Sequence, residues 1–272
     1  MSQEPLIRLT SFIGVFALMA VWELMAPRRP LTARRVNRWP ANLSIVGLNT
    51  LTVRLLFSTT AVGVAALAAQ NQWGVLNFVD WPNWVTVVAA LVVMDFVLYL
   101  QHVVFHAVPL LWRLHMMHHA DLDVDVTTGA RFHPVEIVLS MLIKLAAVTL
   151  TGAPPVAVLT FEVVLNATSM FNHSNVRMPG TLDRLLRWIV VTPDMHRIHH
   201  SVARDETNSN FGFSLPWWDR LLGTYRPEPA KSQIEMPLGL EQFRDPRELT
   251  LARLLALPFR GGTGAYPLGG RR

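Results

Sequence analysis

The chain has 272 residues, of which 51% are hydrophobic and only 16% are charged, and its mean hydropathy is +0.31. Soluble domains carry about 25% charged residues, so this composition indicates a membrane protein. The net charge of +5 resides on basic residues at the ends of apolar runs, where membrane topology places them, and we therefore expect no nucleic-acid partner. The absence of Cys excludes thiolate-ligated haem, iron–sulfur clusters and disulfides from the chain.

In chain order, the apolar runs predict an all-α polytopic bundle with about four to five membrane helices. The predicted membrane segments are residues 6–26, 43–69 and 84–106, then a hairpin of two short segments, 135–151 and 156–172, joined by the turn TGAPP. Residues 28–38 hold five Arg and no acid, so the positive-inside rule makes this stretch cytoplasmic. Counting crossings from there predicts a cytoplasmic location for every histidine-bearing stretch. That is the inner membrane if the source is bacterial and the endoplasmic reticulum if it is eukaryotic.

The ten histidines are confined to the middle of the chain, with none in the first 101 residues or the last 72. HVVFH (102–106) places two histidines one helical turn apart, and HMMHH (115–119) and HRIHH (196–200) both read HxxHH. Positions i, i+3 and i+4 share a helix face, so each HxxHH cluster can present three ring nitrogens together. Two single histidines, His133 and His173, lie between the clusters.

Packed imidazoles beside a lipid bilayer indicate metal binding. Such groups are costly to bury without partners and repel one another when charged, and coordination removes both costs. Four nitrogens suit one metal ion, so eight to ten histidines predict two. Imidazole alone suits Zn, Cu, Fe and Ni. The absence of HExxH disfavours a zincin protease, and the absence of Glu-x-x-His disfavours a soluble di-iron bundle.

The order of these motifs resembles the sterol desaturase/fatty acid hydroxylase superfamily of integral membrane, histidine-box di-iron oxygenases. The resemblance covers about residues 84–226. Its motifs are HxxxH (102–106), HxxHH (115–119), His-Pro (133–134), Asn-His-Ser-Asn (172–175), TPDMHRIHHS (192–201) and TNSNFGFSLPWWDRLLGTY (207–225). It implies a catalytic domain at 84–226. The apolar runs predict N-terminal transmembrane helices at 1–83, and composition predicts a polar, flexible tail at 227–272. Combined with the predicted topology, the resemblance implies a cytoplasmic, histidine-rich catalytic cap.

The resemblance further implies two iron ions, with zinc possible in the purified protein. The catalytic metal ligands it implies are His102, His106, His115, His118, His119, His173, His196, His199 and His200. His133 is a tenth candidate, either as a metal ligand or as a residue that orients one through its second nitrogen.

The resemblance predicts a monooxygenase that hydroxylates an unactivated C–H bond of a lipid taken from the bilayer, using dioxygen and two external electrons. No GxGxxG nucleotide-binding signature occurs, so we expect a separate electron donor such as a ferredoxin, a reductase or a small cytochrome. A lipid or sterol desaturase with the same metal site remains open, as does a membrane metal carrier or sensor. A zinc hydrolase is disfavoured because no glutamate lies within or beside the HxxHH clusters. Substrate identity, regiochemistry and oligomeric state stay open.

Several acidic and aromatic residues near the histidines are secondary candidates. Asp95 and Tyr99 share a helix face with the 102–106 pair, and Asp95 is expected either to function there or to pair with another helix. Asp194 is expected to cap the helix of the last cluster or to support a ligand. The remaining expectations are a solvated loop at Asp121, Asp123 and Asp125, an interfacial amphipathic segment at 182–191, and packing of the cap by Asn210, Trp218 and Asp219.

Overall fold

The computed structural model describes residues 3–268, and helices are the only regular elements within this range. The α-helices are α1 (Glu4–Met25), α2 (Arg35–Leu56), α3 (Ala61–Gln70), α4 (Asn83–Ala107), α5 (Pro109–His119), α6 (Pro134–Thr151), α7 (Pro155–His173), α8 (Gly180–Leu186), α9 (Pro193–His199), α10 (Arg204–Thr207), α11 (Trp217–Leu221) and α12 (Leu251–Ala256). The predicted all-α class is confirmed.

Four helical stretches are long and apolar enough to cross a membrane: Glu4–Met25, Arg35–Phe78, Asn83–Ala107 and Pro134–Thr151. They match the first four predicted segments, although the second is not one continuous helix. The fifth predicted segment, 156–172, forms helix α7 but is not among these four candidate spans. In the second segment α2 ends at Leu56 and α3 begins after Thr60, whose hydroxyl accepts a hydrogen bond from the Gly63 amide at 3.1 Å. The Ser-Thr-Thr run at 58–60 favours this new helix start because Thr satisfies a free amide at an N-cap.

Small side chains allow the membrane helices to pack closely. Ala65, Ala90 and Ala157 are fully buried in one core formed by α3, α4, α6 and α7. At the hairpin turn, Gly152 ends α6 in the left-handed conformation, with φ of 69°. A Cβ on Gly74 would lie 2.1 Å from the Gly152 amide, so two glycines are needed where these two backbones cross.

A cap of short helices covers one end of the bundle, where α4 and α7 finish and α6 begins. The segment after residue 226, expected from composition to be a flexible tail, buries Leu240, Phe243, Leu254 and Tyr266 in a core with Trp112 of α5. The Trp112 indole donates to the Thr263 carbonyl at 3.1 Å. Packing is therefore observed up to residue 268, and the last four residues of the tail lie outside the described range. The division into three domains stays a prediction.

The acidic stretch after the first HxxHH cluster is buried, and the expectation of a solvated loop is wrong. Asp121, Asp123 and Asp125 are at most 3% exposed. Arg38 of α2 donates from Nε to Asp121 at 2.7 Å, donates from Nη1 to Asp125 at 2.8 Å, and also contacts the Asp123 carbonyl. Arg131 lies 3.0 Å from Asp121. The arginine that balances these charges is 83 residues away in sequence from Asp121, so local sequence could not reveal the pairing.

Candidate metal centre

Four helices bring nine of the ten histidines together at the junction of the bundle and the cap. They form two groups, and within each group the candidate ligand atoms lie within 4.8 Å of one another. The five-histidine group contains His102, His106, His115, His119 and His199, and the four-histidine group contains His118, His173, His196 and His200. All nine residues are buried.

Each HxxHH cluster divides its histidines between the two groups. The α5 cluster contributes His115 and His119 to the five-histidine group and His118 to the four-histidine group. The α9 cluster does the reverse, with only His199 in the five-histidine group. The i, i+4 pair of each cluster stays together, and the i+3 histidine points to the other group. The expectation that each HxxHH cluster presents its three ring nitrogens together is therefore wrong.

The ring nitrogens are arranged as ligands around a cation. His102 Nδ1 donates to the Phe211 carbonyl and His115 Nδ1 donates to Glu136, both at 2.7 Å. Both Nε2 atoms of these neutral rings therefore carry a lone pair, yet they face each other 3.2 Å apart. Two lone pairs at this distance repel, and a cation between them relieves the repulsion. Ligands at about 2.1 Å from one metal, about 90° to 110° apart, stand about 3.0 to 3.4 Å from each other.

The same separation recurs in the other group. His173 Nε2 lies 3.1 Å from both His118 Nε2 and His196 Nε2. Both ring nitrogens of His200 and the Nε2 of His199 are buried and have no hydrogen-bond partner among residues 3–268. Buried polar atoms without partners are rare in folded proteins, and coordination to a metal would satisfy one nitrogen of each of these two rings.

The histidines are held neutral, which is the protonation state that binds metal. Burial lowers the pKa of His115 to about 3, and burial with neighbouring imidazoles lowers the pKa values of His118 and His119 well below 6.5. Burial and neighbouring imidazoles likewise lower the pKa values of His196, His199 and His200 well below 6.5. Neutral imidazoles at neutral pH leave their lone pairs free for a divalent ion. The donor set therefore fits two metal ions of the Fe, Zn, Cu or Ni type.

Backbone carbonyls orient several of the rings. His199 Nδ1 donates to the Ser209 carbonyl at 2.8 Å, and His173 Nδ1 donates to the Ser169 carbonyl at 2.7 Å. His106 Nδ1 donates to the Asn208 side chain at 3.3 Å. A hydrogen bond at Nδ1 fixes the tautomer and points the Nε2 lone pair at the site.

The loop that supplies the Ser209 and Phe211 carbonyls is itself held in place. Asn210 adopts the left-handed conformation, with φ of 52°, and its side-chain Nδ2 donates to the Met195 carbonyl at 3.0 Å. Asp219 accepts hydrogen bonds from the Phe211 and Gly212 amides, both at 2.8 Å. Burial raises the pKa of Asp219 to about 6. The Asn-aromatic-Gly and Trp-Asp motifs thus position the loop that orients the ligands, as expected for residues that pack the cap.

Glu136 is a functional candidate that the sequence analysis missed. Its carboxylate holds His115 at 2.7 Å, and its second oxygen is buried without a partner among the described residues. The signal was present as HPVE, which places Glu136 three residues after His133 at the start of α6. Glu136 is 21 residues from His115 in sequence, so spacing along one helix does not reveal the contact.

His133 lies outside both histidine groups. Its Nε2 donates to the Leu255 carbonyl at 3.2 Å, and its Nδ1 accepts from the Val135 amide at the start of α6. With both nitrogens used in these contacts, His133 joins α6 to the C-terminal segment.

Two secondary candidates have structural contacts. Asp95 pairs across helices, because it accepts from the Trp218 indole at 2.8 Å. Thr192 rather than Asp194 caps α9, and Asp194 instead pairs with Arg28 at 3.0 Å.

A cavity of about 830 Å³ extends from the histidines into the bundle. His102, His115 and Phe213 line it at the metal end, and residues such as Leu98 and Met141 form apolar walls between α4 and α6. This volume is typical of ligand-binding cavities.

Known proteins share this central region. An ornithine lipid hydroxylase OlsE from Rhizobium tropici is 34% identical over 58% of this chain and 46% of its own length. A human cholesterol 25-hydroxylase is 30% identical over 50% of this chain and 49% of its own length. A Xenopus tropicalis alkylglycerol monooxygenase is 28% identical over 56% of this chain and 32% of its own length. The chain thus matches about half or less of the length of these relatives. No solved structure is significantly similar to it. Residues 87–224, just over half of the chain, match the fatty acid hydroxylase family model, and the chain belongs to that family.

Proposed function

We propose that this multi-pass membrane protein is a di-iron lipid hydroxylase. The observation that carries the proposal is the pair of buried, neutral histidine groups at the end of a largely apolar cavity. A metal carrier needs ligands along a path through the bilayer, typically near its midplane. Here the ligands gather at one end of the helices, where a chain lying in the cavity would reach them.

The nine grouped histidines are the proposed ligands of two iron ions, and His133 is omitted because it contacts neither group. When bound, the iron pair supplies the chemistry that activates dioxygen with two external electrons. The histidine lone pairs hold the ions, while Glu136 and the carbonyls of Ser209 and Phe211 keep the rings in the required tautomers. Apolar walls exclude water from the C–H bond to be oxidised.

A lipid substrate follows from the cavity and is supported by the relatives. Their names describe hydroxylases or monooxygenases of ornithine lipid, alkylglycerol and cholesterol, all of which are lipids. Apolar residues such as Leu98 of α4 and Met141 of α6 make up much of the cavity lining, as a hydrocarbon substrate requires. The electrons would come from a separate ferredoxin, reductase or small cytochrome. The Arg-rich stretch 28–38 supports placement of the metal centre on the cytoplasmic side, where such donors reside.

The test compares lipid extracts from cells that produce the intact protein, His118→Ala or His133→Ala. High-resolution mass spectrometry should detect a lipid that gains one oxygen with the intact protein and with His133→Ala, but not with His118→Ala. The two variants carry the same substitution inside and outside the histidine groups. A loss of two hydrogens in place of added oxygen would identify a desaturase. If no lipid changes in a host with a verified electron donor, the hydroxylase proposal is overturned.

A further inference from the structure

A second charged cluster lies inside the bundle, on side chains that the metal centre does not use. Glu162 of α7 binds two cations: its Oε2 lies 2.5 Å from Arg8 of α1 and its Oε1 lies 2.6 Å from Lys144 of α6. Arg8 also pairs with Glu4 at 2.8 Å. Charged groups within membrane helices are costly and usually functional. This headgroup cluster, formed by Arg8, Lys144 and Glu162, therefore requires an explanation.

The headgroup cluster lines the same cavity as the metal centre. Glu162 is buried, with 9% of its side chain exposed, whereas 30% of Arg8 and 24% of Lys144 remain exposed. Arg54 lines the cavity as well and forms no ion pair within residues 3–268. Three cations, Arg8, Arg54 and Lys144, thus line the cavity with two carboxylates, Glu4 and Glu162, while a third carboxylate, Glu136, holds His115 at the metal end. The excess positive charge, in a region of low dielectric, favours an anionic ligand.

The distance from the headgroup cluster to the metal centre follows from residue separations along α6 and α7. Glu136, which holds His115, and Lys144 are eight residues apart on α6, which corresponds to about 12 Å along the helix axis. Glu162 and His173 are eleven residues apart on α7, which corresponds to about 16 Å. An extended hydrocarbon chain advances about 1.25 Å per carbon, given bonds of about 1.5 Å and angles near 111°. The separation therefore corresponds to about ten to thirteen carbons.

We propose that the headgroup cluster binds the anionic group of an acyl lipid, a carboxylate or a phosphate, and sets which carbon of the chain reaches the metal centre. The inference rests on the proposed lipid hydroxylase function for the identity of the reaction, but the binding site stands on its own contacts. Lys144 supplies a point charge and Arg8 a planar pair of donors, and both suit carboxylate or phosphate oxygens. Oxidation would fall about ten to thirteen carbons from the anionic group.

Binding is tested on zinc-loaded protein in nanodiscs, where no turnover occurs. The probe is tritium-labelled hexadecanoic acid, and the competitors are its methyl ester and a lysophosphatidate with the same chain. The two lysines of the chain provide a matched pair, since Lys144 lines the cavity and Lys231 is exposed outside it. We expect Lys144→Met to weaken binding of the anionic probe roughly 10- to 100-fold, as for one charge-assisted hydrogen bond. Lys231→Met should leave binding unchanged.

The Glu162→Gln variant tests whether Arg8 and Lys144 bind an anion or only stabilise the helix bundle. Removing the carboxylate frees both cations, so this variant should bind the anionic probe as tightly as the intact protein or more tightly. A structural ion cluster would instead be weakened by both substitutions. Lys144→Arg keeps the charge and should restore binding if Lys144→Met folds poorly. Stronger competition by lysophosphatidate than by unlabelled hexadecanoic acid would identify the phosphate as the preferred anionic group, and the reverse would identify the carboxylate. If the uncharged methyl ester competes as well as the free acid, the proposal is overturned.

The position of oxidation gives a second readout. Fragmentation of the product lipid should locate the new hydroxyl about ten to thirteen carbons from the anionic group, and Lys144→Met should shift or broaden that position. An unchanged position in Lys144→Met would contradict the headgroup cluster while leaving the hydroxylase function intact. Normal anion binding with no oxidised lipid would contradict the hydroxylase function alone.

Discussion

Replacing Glu136 tests how the protein tunes one of its two metal ions. Glu136 is the carboxylate that touches a ligand histidine, and it touches only the five-histidine group, through His115 Nδ1 at 2.7 Å. Glu136→Leu removes the acceptor, so His115 loses the contact that fixes its tautomer. Glu136→Gln keeps an oxygen acceptor in the same place without the charge. The two substitutions therefore separate the geometric from the electrostatic contribution.

The expected size of the effect follows from the burial of the pair. His115 is 2% exposed and Glu136 is 3% exposed, so the hydrogen bond is scarcely weakened by solvent. A charge-assisted hydrogen bond contributes about 1.5 to 3 kcal/mol, and loss of a residue that supports a ligand typically costs about 10- to 100-fold in metal affinity. We expect Glu136→Leu to weaken one of two metal equivalents within that range, and Glu136→Gln to have a smaller effect.

The assay is a titration of metal-free protein with Zn²⁺ in competition with a chromophoric chelator. Intact protein should bind two equivalents. Glu162→Gln is the matched control because it removes another buried carboxylate of the bundle that touches neither histidine group. Equal weakening of both equivalents by Glu136→Leu, or weakening by Glu162→Gln as well, would refute the assignment of Glu136 to one metal.

Three further predictions concern stability, each measured as a melting temperature. Arg38→Met leaves buried carboxylates without their partner and should cost about 3 to 5 kcal/mol, whereas Arg247→Met on the surface should change little. Gly129→Ala places a Cβ 2.6 Å from the Ser169 carbonyl and should destabilise by about 1 to 3 kcal/mol, unlike Gly47→Ala, which meets open space. Without metal, the cap histidines have pKa values below 6.5 when folded and take up protons when unfolded, so stability should fall as the pH drops below about 6.5. Each such histidine contributes up to about 1.4 kcal/mol per pH unit, continuing toward pH 3 for His115, and a flat acid profile would contradict the neutral, buried histidines.

Much of the candidate site was predictable because it depends on local spacing. HxxHH on a helix places the i and i+4 rings on one face, which holds for α5 and α9 whatever surrounds them. The apolar runs predict membrane helices since lipid requires their backbone groups to be satisfied internally. The break between α2 and α3 was missed because hydropathy averages over the short polar run at 58–60.

Residue types and local periodicity can be read from the sequence: ten candidate ligand histidines, of which nine come together, four helices long enough to span, and the motifs of the family. Which histidine joins which group follows from tertiary contacts, because it depends on how α4, α5, α7 and α9 meet. Tertiary contacts also set the partners of Glu136 and Arg38 and the alignment of the headgroup cluster with the cavity. These contacts join residues that are tens of positions apart or more, and their formation depends on helix packing, which the spacing of residues along one helix does not specify.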